Sequence, residues 1–245
     1  MLKRRIIPFL LLFEGSLIKT KRYKFSQYIG DPINTVRIFN EFEVDEIALI
    51  NIENKKDSFQ RNTDLIKDFA SECFIPCTYG GSIRNINEAE TVFRSGFEKI
   101  IINTAAYQNP KFITELSKTF GSQAIIVSID IKKNRDEYSA FYNYWKNRIN
   151  DKLENWILKV QDLGAGELII NDIDNEGTWN GLNKDLFIKI KKFINVPFII
   201  HGGANSKSEL ESALNLGFNA IGIGNLALFQ KKNYGVLINY PKISF

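Results

Sequence analysis

The sequence predicts an α/β fold, a (βα)8 TIM barrel closed from two similar half-barrels, and three observations carry that prediction. The first is an internal repeat. Residues 75–83 read IPCTYGGSI and residues 196–204 read VPFIIHGGA, with Pro76 and Pro197, and Gly81 and Gly202, each 121 residues apart. Gly96-Phe97 and Gly217-Phe218 keep that spacing, as do Ile100 and Ile221, and Glu46 and Glu167. A period near half the chain indicates a doubled domain, not a solenoid of short units. The second observation is that eight apolar, β-branched runs alternate with amphipathic stretches, the pattern of a parallel sheet buried on both faces. The third is length. Eight such units in 245 residues match the size at which a barrel of this kind closes. A doubly wound open sheet is the runner-up, but two four-stranded halves close symmetrically.

The strands are expected at 5–12, 46–52, 75–79 and 99–103 in the first half (about 1–121). Those of the second half (about 122–245) fall at 123–130, 167–171, 197–201 and 220–224. The first run follows a basic start (MLKRR), as in a signal peptide. Pro8 interrupts it, Glu14 follows closely, and no small-residue cleavage pattern appears, so it reads as a buried strand. Helices are expected at 32–43, 87–95, 110–120, 152–163, 184–194 and 207–216. Asp31 before Pro32 supplies an N-cap followed by proline at the first helical position, and Ser206 caps the last helix. Gly96, Gly164 and Gly217 sit just past helix ends, where a left-handed cap favours glycine. Residues 134–150 are expected as an irregular, aromatic-rich flap over one end of the barrel.

Composition narrows the function classes. A net charge of +4 with scattered Lys and Arg suits anionic small ligands and argues against a nucleic-acid binder. Cys73 and Cys77 form a lone CxxxC, read as reduced core residues of a cytosolic protein. His201 is the only histidine, which excludes His-pair metal sites, and no cofactor motif is present. No segment reads as a membrane span.

Barrel active sites lie at the C-terminal ends of the strands. Gly81-Ser82 and Asn103-Thr104 end the third and fourth strands, and Gly202-Gly203 and Gly224-Asn225 end the seventh and eighth. One Gly-Gly turn alone is a tight loop. Two at matched positions predict a pair of phosphate cradles across one mouth, and a ligand phosphorylated at both ends. Asp130 closes an otherwise apolar strand and faces the cavity as a general acid or base, or else anchors a loop. Lys19, after strand one, folds over an anionic substrate or is an ordinary surface lysine. His201 binds phosphate or fills space. Asp172, Asp174 and Glu176 with Gly177-Thr178 form a polar loop after strand six, read as substrate contact or loop structure.

RIIPFLL, GDPINTVRIFNE, DEIALINI, GGSIR, IINTA, SQAIIVSID, GAGELIINDID and HGGA span nearly the whole chain. Together they resemble the cyclase subunit of imidazole glycerol phosphate synthase, HisF. The resemblance implies a duplicated barrel that takes ammonia from a HisH-like glutaminase. With it, a phosphoribulosyl-formimino aminoimidazole-carboxamide ribotide becomes imidazole glycerol phosphate and aminoimidazole-carboxamide ribotide. That family uses two catalytic aspartates. Asp130 matches one; the other falls at Leu11, which can neither give nor take a proton. Asn51, Asn183 and Glu176 also depart from the family's acids. By contrast Arg5, Glu46, Lys99 and Glu167 match four charged residues that gate ammonia at the barrel floor, although a plug there would use the same charges. With PxLLLxxGxLxKT at 8–20, the combination is similar to a WbuZ-type paralogue branch associated with surface-polysaccharide sugar amidation. Its implied partners are a HisH-like glutaminase in a heterodimer and a separate sugar amidotransferase.

Overall fold

The computed structural model describes residues 4–134, 137–232 and 235–243. The first half opens with β1 (Arg5–Phe13), a hairpin of β2 (Ser16–Lys21) and β3 (Lys24–Gly30), and α1 (Pro32–Phe42). It continues through β4 (Ile47–Asn51), the short α2 (Ser58–Arg61), α3 (Thr63–Glu72), β5 (Cys77–Gly80) and α4 (Ile86–Ser95). It ends with β6 (Lys99–Ile102), α5 (Thr104–Gln108) and α6 (Lys111–Phe120). The second half opens in the same order, a long strand and a hairpin: β7 (Ile125–Asn134), β8 (Glu137–Tyr142) and β9 (Asn147–Arg148). Then come α7 (Leu153–Asp162), β10 (Glu167–Asp172), α8 (Lys184–Lys191), β11 (Phe198–His201), α9 (Lys207–Asn215), β12 (Ala220–Ile223) and α10 (Asn225–Leu228).

Strands β1, β4, β5, β6, β7, β10, β11 and β12 pair in that order, all parallel. The pairing of β12 with β1 closes the barrel. Alternation of side chains divides each strand between two cores. Ile7, Phe9, Ala48, Ile101, Ile126, Ile169, Ile199 and Ala220 fill the barrel interior. Ile6, Leu10, Leu49, Ile100, Ile125, Val127, Leu168 and Ile200 face the surrounding helices. The barrel is therefore packed through its middle, and only its two ends are open to chemistry. Among the described residues no helix is long and apolar enough to cross a membrane.

The repeat extends to individual hydrogen bonds. Asn85 caps α4 by accepting from the Glu88 amide at 3.0 Å, and Ser206 caps α9 by accepting from the Glu209 amide at 3.3 Å. Glu88 and Glu209 each reach back to accept from the amide before the cap, Arg84 and Asn205 respectively. Two capping boxes thus stand at equivalent places. Gly81 (φ +94°) and Gly202 (φ +115°) correspond as well. A Cβ on Gly81 would lie 1.9 Å from the Asn51 carbonyl oxygen, and one on Gly202 would lie 2.4 Å from that of Asp172. Only glycine fits where the strand-end turn passes so close to its neighbour's backbone.

The structure departs from the sequence reading in several places. Residues 16–30 are a β-hairpin whose tip places Arg22 and Tyr23 at φ 54° and 55°. That is the left-handed pair of a tight hairpin turn, made here without the Gly or Asn that would announce it. Helix α3 is given no range by the sequence, because its buried Ile66 and Phe69 are diluted among charged neighbours. Within the stretch expected as irregular, residues 137–148 are regular: β8 and β9 form an antiparallel ribbon off the end of β7. The first residues of strand three (75–76) lie outside β5, and helix 184–194 stops at Lys191.

Candidate active site and charged floor

The N-terminal end of the barrel carries a closed ring of four alternating charges. Arg5 pairs with Glu46 at 2.6 Å and with Glu167 at its other guanidinium nitrogen. Lys99 pairs with Glu167 at 2.8 Å and with Glu46 at 3.5 Å. Arg5, Lys99 and Glu167 are the first residues of β1, β6 and β10, and Glu46 immediately precedes β4. Strand starts therefore aim all four inward at one level. The carboxylates are almost fully buried, and the Thr78 hydroxyl also donates to Glu46 at 2.9 Å. Burial alone would push the Glu167 carboxyl upward; Arg5 and Lys99 overcome it and hold the group below the ordinary carboxylate value.

At the opposite end lies a cavity of about 750 Å3. Its walls include Phe9, Ile50, Ile101 and Ile169 from the strands, and Gly81, Ser82, Asn103 and Thr104 from two strand-end turns. Asp130 enters it from β7 with the same inward parity as Ile126 and Ser128. Asp130 Oδ1 accepts from Asn171 Nδ2 at 2.8 Å and from the Ser128 hydroxyl at 3.2 Å. Burial raises its carboxyl to about 6, against the pull of those hydrogen bonds. An acid with that value can both lose and regain a proton near neutral pH.

Asn171 links the site together. It also donates to the Tyr23 hydroxyl at 2.8 Å, and its Oδ1 lies 2.9 Å from His201 Nδ1. Because Asn171 Oδ1 can only accept, His201 carries its proton on Nδ1. Burial and then the charge of Lys19 lower His201 to about 3, so the ring is neutral; it stacks on Phe9 at 4.6 Å. Over the mouth, Tyr23 at the tip of the first hairpin stacks on Trp145 of the second ribbon, ring centres 4.0 Å apart. The two halves each contribute one flap, and the flaps meet above Asp130. Tyr144 ties the second ribbon down by donating its hydroxyl to the Glu53 carbonyl.

Leu11 occupies the inward parity of Ile7 and Phe9 and is 4% exposed; its register neighbours are Ile50 and Ile18. No proton can be exchanged there. Glu14, the nearest carboxylate along the chain, turns outward to pair with Lys55 at 2.8 Å and does not line the cavity.

The residues expected as two cradles sit in two separate spaces. Gly81, Ser82, Asn103 and Thr104 line the large cavity. Lys19, Gly177, His201, Gly202, Gly203, Gly224 and Asn225 line a second one of about 10 Å3. Lys19 is buried there against the Glu176 carboxylate and donates to the Thr20 carbonyl at 2.8 Å, so it is not an ordinary surface lysine. Asp172 accepts from Asn183 and Asn175, and Asp174 accepts from the Lys133 amide at 2.9 Å; both shape loops. Asn171 and Tyr23 were not singled out from sequence. A polar residue ending an apolar strand, the signal used for Asp130, would have found Asn171; nothing in the sequence brings Tyr23 to the mouth.

The family profile described as "Histidine biosynthesis protein" matches residues 5–233. The chain belongs to this histidine biosynthesis family. A Leptospira borgpetersenii protein, provisionally named imidazole glycerol phosphate synthase subunit HisF, is 38% identical over 98% of this chain and 96% of its own. One from Vibrio vulnificus, provisionally named subunit hisF3, is 38% identical over 100% and 95%. The imidazole glycerol phosphate synthase subunit HisF of Exiguobacterium sibiricum is 31% identical over 90% and 88%. The chain is thus HisF-like over nearly its full length.

Proposed function

We propose that this HisF-like chain is an ammonia-receiving subunit that pairs with a HisH-like glutaminase, with its own cyclase chemistry impaired. The observation that carries the reading is Leu11, a buried apolar side chain on the inward parity of β1, in a barrel whose floor keeps its complete ring of four charges. Cyclisation of the ribotide by two carboxylates needs a proton carrier on each side of the ligand. Here Asp130 alone can act, and Glu14 faces away. The ring needs all four members to balance, and all four are present. Ammonia delivered through it serves a separate amidotransferase that acts on a surface-polysaccharide sugar, as in the WbuZ-type branch.

A second reading is a working cyclase in histidine biosynthesis. The buried Asp130, whose carboxyl burial raises to about 6, favours it. Ammonia-dependent turnover of the ribotide by the purified chain, beside an established cyclase subunit, separates the two. The proposal expects turnover at least about 10²-fold below the control, the smallest loss typical of a missing acid/base group. Turnover equal to the control overturns it. Co-purification with a HisH-like glutaminase from the same genome is expected, and its failure removes the ammonia-receiving role.

A further inference from the structure

The last barrel strand is covered differently from the others. Strands β1, β4, β5, β6, β7, β10 and β11 are followed in turn by the outer helices α1, α3, α4, α6, α7, α8 and α9, each of eight residues or more. Among the described residues β12 is followed only by α10, of four residues. An extended tail, described over 235–243, runs where an eighth outer helix would lie. Val236 bridges Phe229 in antiparallel sense. The Leu237 amide donates to the Leu228 carbonyl and the Asn239 amide to the Ala227 carbonyl, both at 3.0 Å. Ile238 and Tyr240, two residues apart, pack against the core that faces the helices, while Leu237 between them is exposed. Pro241 keeps the segment from turning helical. The tail thus descends from the mouth to the floor and arrives there at Tyr240.

The Tyr240 hydroxyl lies 3.1 Å from the Ile6 carbonyl oxygen and 3.0 Å from Asp45 Oδ2, and it accepts from the Asp45 amide at 3.5 Å. Asp45 Oδ2 also accepts from the Ile6 amide at 3.2 Å. Burial and the Asp45 charge raise the hydroxyl's pKa, so it keeps the proton it donates. Ile6 follows Arg5, and Asp45 precedes Glu46, so this cluster lies directly behind one edge of the charged ring. That edge has no sheet to hold it. The ladder between β1 and β4 begins only at Phe9 and Ala48, whereas on its other side Arg5 donates its amide to the Asn219 carbonyl at 2.8 Å. We propose that Tyr240 is a positioning residue for the charged ring, tying the start of β1 to the turn before β4 and so holding Arg5 over both Glu46 and Glu167. Arg5 serves the two carboxylates at once, and a tilt of its backbone loosens both bonds together. On the reading that the floor receives ammonia, the tail thereby sets the shape of the entry. That consequence rests on the proposed function; the positioning does not.

The test is Tyr240→Phe in the full chain, which removes the hydroxyl and keeps the packed ring. Two NMR readouts follow the charged floor. The Glu167 carboxyl, held below its ordinary value by Arg5 and Lys99, should titrate higher by at least about half a unit, or about threefold in proton affinity. Exchange of the Arg5 guanidinium protons, assigned with Arg5→Lys, should quicken about fivefold, the worth of one hydrogen bond. The amides of Ile126 and Ile169 in the barrel interior should exchange as before. A general loss of stability would instead quicken exchange throughout and leave the Glu167 titration in place. An unchanged Glu167 titration and unchanged Arg5 exchange in the folded variant overturn the proposal. Should that variant fail to fold, Asp45→Asn weakens the same tie with Tyr240 in place; Arg5 exchange should again quicken, and no change overturns the proposal. The consequence for ammonia is read separately, in the heterodimer with a HisH-like glutaminase. Glutamine carrying 15N in its amide competes there with unlabelled ammonium, and the 15N share of the imidazole product formed from the ribotide should fall in Tyr240→Phe. A loosened ring with an undiminished 15N share keeps Tyr240 as a positioning residue and overturns the reading of the floor as an ammonia entry.

Discussion

Replacing Asp130 with Asn should stabilise the protein near neutral pH and leave it unchanged near pH 4. Asp130 is buried, and its carboxyl is raised from 3.8 to about 6. Between those values the folded chain holds a proton that the unfolded chain has released. Stability therefore falls as pH rises through this window, and the full cost is reached above pH 6. The interval is about two units at 1.36 kcal/mol each, so the cost is about 3 kcal/mol. Asn keeps the oxygen that accepts from Asn171 and Ser128 but has no charge to desolvate. Urea unfolding followed by tryptophan fluorescence at pH 4, 5, 6, 7 and 8 measures the difference directly. The two proteins should unfold alike at pH 4 and diverge by about 3 kcal/mol at pH 7, the variant being more stable. Parallel stability curves across that range would falsify the claim that burial governs this carboxyl, and with it the case for Asp130 as a group that exchanges protons near neutrality.

Leu11→Asp should raise ribotide turnover by about 10²–10⁴-fold, the contribution of one positioned acid/base group; no gain in a folded, ligand-binding variant rejects the proton-transfer explanation. Glu167→Gln leaves Arg5 and Lys99 sharing one carboxylate and should cost about 3–5 kcal/mol by calorimetry. Since its partners hold Glu167 below 4.5, its stabilisation is present above that value and fades as pH falls through the lowered one; the variant should lack that part of the acid loss. Gly81→Ala should cost at least about 3 kcal/mol, because its Cβ would meet the Asn51 carbonyl as well as the left-handed backbone. Gly15→Ala, at φ +77° with nothing within 4 Å, should cost only the conformational strain of about 1–2 kcal/mol.

The barrel was legible because its signals are local and doubled. Eight apolar runs, proline after an Asp cap, and glycines at matched strand ends are each set by a few neighbouring residues. The ring was legible through its positions at strand starts, given the resemblance. What the sequence concealed depends on contacts between distant segments. The first hairpin turns on Arg22 and Tyr23, residues that ordinarily avoid positive φ, and is held by Glu176, more than 150 residues away. The same contacts bring Tyr23 onto Trp145 and Lys19 onto Glu176. Two strand-end turns related by the repeat therefore read alike in sequence but have different surroundings: one lines the large cavity, and the other lies beside the buried Lys19–Glu176 pair.

The charged floor admits one further discrimination, because a ring and a plug differ in what replaces them. The four charges are mutually balanced, and losing one strands a buried partner, so retention of all four could follow from stability alone. Replacing all four together removes that argument. Arg5→Met, Glu46→Leu, Lys99→Met and Glu167→Leu combined fill comparable volume without charge, and such replacements of buried ion networks are neutral or stabilising by about 1–4 kcal/mol. If the ring serves ammonia passage, the quadruple variant folds with undiminished thermal stability and still binds the glutaminase. It should support product formation from added ammonium salt but not from glutamine, because an apolar floor offers ammonia no hydrogen-bond partner on its way through. Equal use of glutamine and ammonium by a stable quadruple variant would mean that the four charges hold the barrel's floor and nothing more.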